Sequence, residues 1–236
     1  MLSVTGIIMV TTQSLTTTTT TTCNAFEGGV GGLGKTKPNT GVVFLQSGSA
    51  PFQNKQGIVT AELLSGKGNP ILVEFTAPYP LLPTTSGLEA RDLQQSESAF
   101  VQVINGVKPQ VLEKELYSIL IDQVFGSKGK FGAYGSPSDI KISSVSKSSN
   151  NDNEGMMQHF YKVTFTTLTP GLRESERQLL LRCEWCDGDT LVMLLVGTTR
   201  LRFQHEKEVL TRIAKSFIAV QAPPTELLRR SQQQQQ

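Results

Sequence analysis

The dipeptide Asp187-Gly188 stands between two long runs of strand-forming residues, Arg177 to Cys186 and Thr190 to Thr198. A turn of this composition lets both central residues take positive φ, which matches the right-handed twist of antiparallel strands, so the stretch predicts a hairpin. Its second arm reads Leu-Val-Met-Leu-Leu-Val from Leu191 to Val196, apolar at every position. Side chains alternate between the two faces of a strand, so an arm without polar positions needs cover on both sides. That requirement makes the arm a central strand and assigns the work of the amphipathic segments elsewhere in the chain.

Two segments have the spacing of covering helices. After Pro109, the residues Val111, Leu112, Leu116, Ile119, Leu120 and Val124 recur at three- and four-residue steps, with Glu113, Lys114, Glu115, Asp122 and Gln123 opposite. Pro at the first turn and Gly126 beyond the last match the usual asymmetry of helix ends. Near the end of the chain Phe203, Val209, Leu210, Ile213, Ala214 and Phe217 mark a second amphipathic helix before Pro223-Pro224. A covered strand and two such helices predict an α+β fold, a central antiparallel sheet sandwiched by α-helices.

The remaining strands are read from composition and punctuation. Ile58 to Leu64 and Pro70 to Ala77 flank the turn-rich Ser65-Gly-Lys-Gly-Asn69 and predict a hairpin. Gly41 to Leu45, Ala99 to Ile104 and Asp139 to Ser146 are shorter strand-like runs. His159 to Leu168 alternates well, with Tyr161, Val163, Phe165 and Thr167 on one face and Phe160, Lys162, Thr164 and Thr166 on the other. Pro78, Pro80 and Pro83 forbid regular structure between the first hairpin and the strand at Ala99. Ser148 to Gly155 is a polar surface loop, and Pro170-Gly171 ends the strand before it.

The ends of the chain read differently. Across the 236 residues, 22 Lys+Arg stand against 20 Asp+Glu, a formal charge of +2, yet Met1 to Gly34 contain neither Lys nor Arg. Leu2 to Val10 is a short apolar stretch followed by the threonine run Thr16 to Thr22, and Cys23-Asn-Ala25 places small residues before a possible cleavage at Phe26. Residues 1–40 are therefore read as a leader and glycine-rich linker, disordered or cleaved; a start inside a longer bipartite leader would explain the missing basic residues, and a disordered threonine-rich tail is the alternative reading. Gly28 to Gly34 with Lys35-Thr36 imitates a phosphate-binding loop, but no strand precedes it and Pro38 blocks the helix that must come next. Residues 41–222 form the folded domain, and 223–236, ending in five glutamines, a disordered polar tail. The near-balanced charge excludes nucleic acid as the main partner, and no apolar run reaches the roughly 18 residues of a membrane-spanning helix.

Few residues offer chemistry. Cys183 and Cys186 form Cys-Glu-Trp-Cys at the end of a strand, not at the helix N-terminus that a redox pair needs. In a regular strand the two point to opposite faces and stay free thiols; a bulge at Trp185 would let an oxidising compartment join them. Zinc lacks a second ligand pair. His159 and His205 are the only histidines, and both are read as surface residues. Arg200, Arg202, Lys207, Arg212 and Lys215 cluster around the last helix, interrupted by Glu206 and Glu208. They are either a solvated face or a docking patch for an acidic partner. Lys128 and Lys130, beside Phe131 and Tyr134, would extend it with aromatic anchors. No nucleophile–base arrangement or carboxylate pair stands out, so no catalytic residue is assigned.

The order of elements over residues 75–220 resembles the PsbP family of thylakoid-lumen proteins. The carrying residues are Phe75-Thr-Ala-Pro78-Tyr-Pro80, Ser98-Ala-Phe-Val-Gln-Val103, the Pro-led helix, the run Asp187 to Thr199, and the ending Ile213-Ala214-x-Ser216-Phe217. Two features depart from the family: no Trp succeeds the Tyr-Pro segment, and Gly41 to Asn69 precedes the shared part. The resemblance implies a PsbP-like α/β/α sandwich and a non-catalytic accessory protein, peripheral to the chloroplast thylakoid on its lumenal side. Its partners would be photosystem subunits or assembly factors. It implies no cofactor, although some family members bind Ca, Mn or Zn. The leader agrees with that address and shares no residues with the resemblance. Two rival readings remain: a carrier of a small apolar ligand held between sheet and helices, and a hydrolase, for which the residues supply no constellation.

Overall fold

In a computed structural model, residues 38–45, 50–82, 87–133, 135–147, 159–169 and 173–222 are described, all within the unit Lys35–Gln236. The leader and glycine-rich stretch, the loop Ser148 to Gly155, Pro170-Gly171, Tyr134 and the tail from Pro223 lie outside them. The predicted central hairpin is present as β8 (Glu174–Cys186) and β9 (Thr190–Thr199), in register from Arg177 opposite Thr199 to Cys186 opposite Thr190. Asp187 and Gly188 take φ of 54° and 77°, the left-handed pair that the turn requires.

Around this hairpin grows an antiparallel six-stranded sheet. β5 (Ser98–Asn105) pairs with β9, and β4 (Glu89–Arg91) lies outside β5. On the other side β7 (His159–Leu168) pairs with β8, and β6 (Ser138–Lys147) with β7, giving the order β4-β5-β9-β8-β7-β6. β9 is buried from Thr190 to Thr198, as its composition demands. Leu191, Met193 and Leu195 face one apolar cluster, and Val192, Leu194 and Val196 the other.

The first face is covered by α1 (Glu113–Leu120), which continues without a break into one π-helical turn, Ile121–Phe125. Leu116, Leu120, Val124 and Phe125 pack there on Tyr161, Val163 and Phe165 of β7 and Leu179 and Leu181 of β8. The helix begins four residues after Pro109, because Leu112 is extended (φ −65°, ψ 145°) and Lys108 to Val111 form a turn. Gly126 ends the π turn in an extended conformation, and its fitness there is steric: a Cβ would collide with the Asp122 carbonyl oxygen.

The second face corrects the expectation of a single sheet between helices. α2 (Arg200–Lys215) covers part of it, and a separate four-stranded sheet joins α2 in the same cluster. That sheet contains β1 (Phe52–Gln53), β2 (Ile58–Leu64), β3 (Pro70–Thr76) and β10 (Ile218–Gln221), in the order β1-β2-β3-β10. The predicted hairpin of β2 and β3 alternates, with Val59, Ala61, Leu63, Ile71, Val73 and Phe75 inward, so it carries one apolar face of its own to bury. The expected strand Gly41 to Leu45 reduces to a bridge between Phe44 and Leu63 beside β2.

The tips of the two sheets are tied by polar groups. The Asp187 carboxylate accepts from the Ser65 hydroxyl at 2.7 Å and the Asn69 amide at 2.8 Å. Lys67 pairs with Asp189 at 2.9 Å and donates to the Asp187 carbonyl, while Asn105 Oδ1 accepts from Gly66 N–H and Thr190 Oγ1. The hydrogen bond from Ser65, then that from Asn69 and the Lys67 charge, hold the Asp187 carboxyl below its ordinary value of 3.8.

This packing has measurable consequences. Leu194→Ala should cost about 2–5 kcal/mol in urea unfolding of the full chain, whereas Leu201→Ala, at a position 78% exposed, should stay within about 0.5 kcal/mol. Because folding lowers the Asp187 pKa, its contribution is complete above 3.8 and is lost as pH falls through the lower folded value. Asp187→Asn, which tolerates positive φ, should flatten the acid limb of a stability–pH curve; an unchanged limb would assign acid lability to other groups.

Candidate docking surface

Thr199 leads directly into α2, so the last residues of the central strand fix where the helix starts. Arg200 and Arg202 then fall in its first turn, where a positive charge opposes the helix dipole. Both are compensated. Arg200 pairs with Glu176 of β8 at 2.7 Å, with both side chains exposed. Arg202 pairs with Glu97, whose side chain is only 3% exposed and whose Oε1 also accepts from the Thr198 hydroxyl at 3.2 Å. Glu97 Oε2 and the buried Tyr79 hydroxyl have no hydrogen-bond partner among the described residues. Burial first, and the Glu97 charge next, push the Tyr79 phenol up to about 12.

The rest of α2 is different. Lys207, Arg212 and Lys215 are exposed and make no ion pair among the described residues. Arg212 and Lys215 lie in the last turn, where their charge suits the dipole. The Lys215 carbonyl is met by Arg182 Nη1 at 2.9 Å, and Arg182 in turn pairs with buried Glu184 at 3.0 Å. Burial raises the Glu184 pKa, and Arg182 opposes it. His205 is exposed on the same helix; His159 opens β7 opposite Cys183, and its side chain lies outside what is described.

Lys128 and Lys130 come after the π turn, and they too divide. Lys128 is exposed, with its carbonyl accepting from Asn39 N–H at 2.8 Å. Lys130 is half-buried, paired to Glu89 of β4, with its ammonium 5.4 Å from the Phe100 ring centroid. Phe131, expected as an outward anchor, turns inward. Its ring lies 4.8 Å from Phe165, 5.7 Å from Phe125 and 5.7 Å from Phe100, because the apolar face above β7 has room for it once the π turn ends. Of the seven candidate cations, Arg200, Arg202 and Lys130 are thus paired with carboxylates, while Lys128, Lys207, Arg212 and Lys215 are exposed without an ion pair among the described residues.

Cys183 and Cys186 are free and buried in the unbroken part of β8, one in each apolar cluster. Burial is the main reason that both thiols titrate high, Cys186 at about 12 and Cys183 higher still. Among the described residues no group of three or more His, Cys, Asp and Glu is placed to hold a metal ion, and no helix is long and apolar enough to cross a membrane. The interval between α1 and the sheet, where a carrier would hold an apolar ligand, is filled by Leu116, Leu120, Val124 and Phe125.

Glu97 and Glu89, which pair with Arg202 and Lys130, had no readable signal in the sequence, because their burial depends on partners distant in the chain.

No family model and no curated protein matches the chain. Among solved structures, the solution structure of cyanobacterial PsbP (CyanoP) from Synechocystis sp. PCC 6803 is similar over 72% of this chain and 97% of that chain, with 16% sequence identity and a TM-score of 0.40.

A thiol probe checks the packing of the cysteines. With thiols titrating this high, iodoacetamide at about pH 8 should leave Cys183 and Cys186 unmodified in the native protein and label both in urea, as read by peptide mass spectrometry. A disulfide-linked peptide, or rapid native labelling at either position, would refute the buried free-thiol arrangement.

Proposed function

We propose that this protein is a non-catalytic accessory protein of the chloroplast thylakoid lumen that docks on the lumenal face of a photosystem complex and assists its assembly or stability. The observation that carries the reading is the division of the cations. Lys128, Lys207, Arg212 and Lys215 are displayed to solvent without ion pairs among the described residues, while Lys130, Arg200 and Arg202 are each neutralised by a carboxylate. Exposed charge of one sign contributes little to folding but steers association with a partner of opposite sign. The sequence resemblance over residues 75–220 and the separate leader support the address. The reading needs no metal or cofactor and assigns no catalytic residue.

Binding to the lumenal membrane face tests it. The full chain should co-sediment with inside-out thylakoid vesicles stripped of peripheral proteins, and not with right-side-out ones. It should be released by about 1 M salt, where charges are screened beyond roughly 3 Å. The combined variant Lys207→Glu, Arg212→Glu, Lys215→Glu should lose most of that binding while keeping its circular dichroism spectrum. Equal binding to both faces, or unchanged photosystem accumulation in plants lacking the protein, would overturn the reading.

A further inference from the structure

The layer on the second face of the six-stranded sheet stops short of one edge. α2 packs on β9 and β8, and β7 and β6 lie beyond them. On β7 the side chains of Tyr161, Val163 and Phe165 point into the cluster under α1, so Lys162, Thr164 and Thr166 point to the α2 side. Register sets Lys141 of β6 opposite Thr164 and Ser143 opposite Lys162, while Ile142, opposite Val163, packs toward α1. Lys141, Ser143, Lys162, Thr164 and Thr166 therefore share one ledge beside α2. At the end of the row Phe160 packs against the apolar cluster below the helix.

α2 is the wall of this ledge. At its start Arg200 pairs with Glu176 and shares a small cleft with Lys141, Thr164 and Thr166. At its end the Lys215 carbonyl accepts from Arg182 of β8. The strand from Glu176 to Arg182 spans about 20 Å and the helix from Arg200 to Lys215 about 22 Å, so α2 runs along β8. Lys207 and Thr211 each lie within about 20° of Arg200 around the helix axis and line the same wall. Lys207, near the middle, stands abreast of Gln178 and Leu180, whose partners on β7 are Thr164 and Lys162. Lys141, Lys162 and Lys207 make no ion pair among the described residues, and Arg200 already occupies Glu176. Asp139, at the bulge of β6, is the other carboxylate beside the ledge. Three ammonium groups thus gather against one free carboxylate, an excess that an anionic partner relieves.

We propose that this ledge is a docking groove for an extended acidic segment of a partner protein, with carboxylates at alternate positions. Lys141 and Lys162 are diagonal neighbours on adjacent strands, about 7–8 Å apart at Cα. Alternate side chains of an extended chain recur about every 6.6 Å, so two successive carboxylates on one face can meet both lysines. Lys207 adds a third ammonium from the wall, and the Ser143, Thr164 and Thr166 hydroxyls add donors between them. A flat lipid surface meets the crest of α2 first, because a helix about 10 Å across stands on the sheet; a single extended chain fits beside it. The proposal rests on the docking reading above and moves the specific contact to the β7 side of α2.

The test titrates the full ¹⁵N-labelled chain with the blocked peptide acetyl-Gly-Glu-Thr-Glu-Thr-Glu-Gly-amide. Its all-glutamine counterpart, inorganic phosphate and anionic phosphatidylglycerol vesicles are compared at matched ionic strength. Backbone amide signals of Lys141 to Ser143 and Lys162 to Thr166 should shift with the glutamate peptide, and the glutamine peptide should bind at least about tenfold more weakly. Lys141→Gln with Lys162→Gln removes charge alone and should weaken the peptide about tenfold; Lys141→Gln by itself, at an exposed position, should weaken it about threefold without lowering the melting temperature. Lys128→Gln, after the π turn that covers the other face, should change binding by less than about twofold. Equal response to the two peptides, shifts confined to Arg212 and Lys215, or undiminished affinity in the double variant would overturn the proposal. So would response of these amides to phosphate or lipid vesicles but not to the peptide, which would make the occupant a free anion or a membrane. Thylakoid-vesicle binding that survives the double variant would sink the groove and leave the address; peptide binding without preference for the lumenal face would sink the address and leave the groove.

Discussion

Burial of β9 on both faces is the constraint from which the other parts of the fold derive their positions. Alternation sends Leu191, Met193 and Leu195 one way and Val192, Leu194 and Val196 the other, so neither side can face water. The strands on either side, β5 and β8, satisfy its backbone, and two separate layers satisfy its side chains. α1 with its π turn is sufficient on one side. On the other, α2 alone spans too little of the sheet, and the amphipathic hairpin of β2 and β3 supplies the rest while burying its own apolar face. A single hydrophobic strand therefore requires three partners, and the two clusters it separates hold most of the buried side chains.

Legibility in the sequence tracked the length of each periodic pattern. β7, β8, β9 and the β2–β3 hairpin declare themselves because their alternation or turn chemistry extends over many residues. β1, β4 and β10 have two, three and four residues, too few for a period to register, and their pairing energy comes from neighbours remote in the chain. β10 shows the mechanism: only Ala219 of its four residues is buried, and it exists because α2 delivers the chain beside β3. The same limit concealed the second sheet. A two-stranded hairpin reads identically whether it joins a large sheet or founds a small one.

The candidate site was legible as composition but not as arrangement. The seven basic residues could be named from the sequence, yet their roles separate only when their carboxylate partners are located. Glu97 is about a hundred residues from Arg202, and Glu89 is 41 from Lys130, so no local pattern joins them. Phe131 teaches the same point for aromatic residues: beside two lysines it resembles a surface anchor, and the end of the π turn instead aims it into the core.

Charge compensation divides this protein into an inside and a working outside. Glu89, Glu97 and Glu184 are each buried against one basic partner, a choice that apolar residues of equal volume would match or better in stability. What such pairs provide is position. Arg202 bound to Glu97 fixes the start of α2 against β9, and Arg182, held by Glu184, closes the last turn of the same helix through the Lys215 carbonyl. With both ends of α2 pinned by buried carboxylates, the cations between and beyond them are held in a fixed array. Lys207, Arg212 and Lys215 are consequently presented on a rigid helix and not on a mobile tail, and a rigid charge pattern loses little ordering entropy when it meets a complementary one.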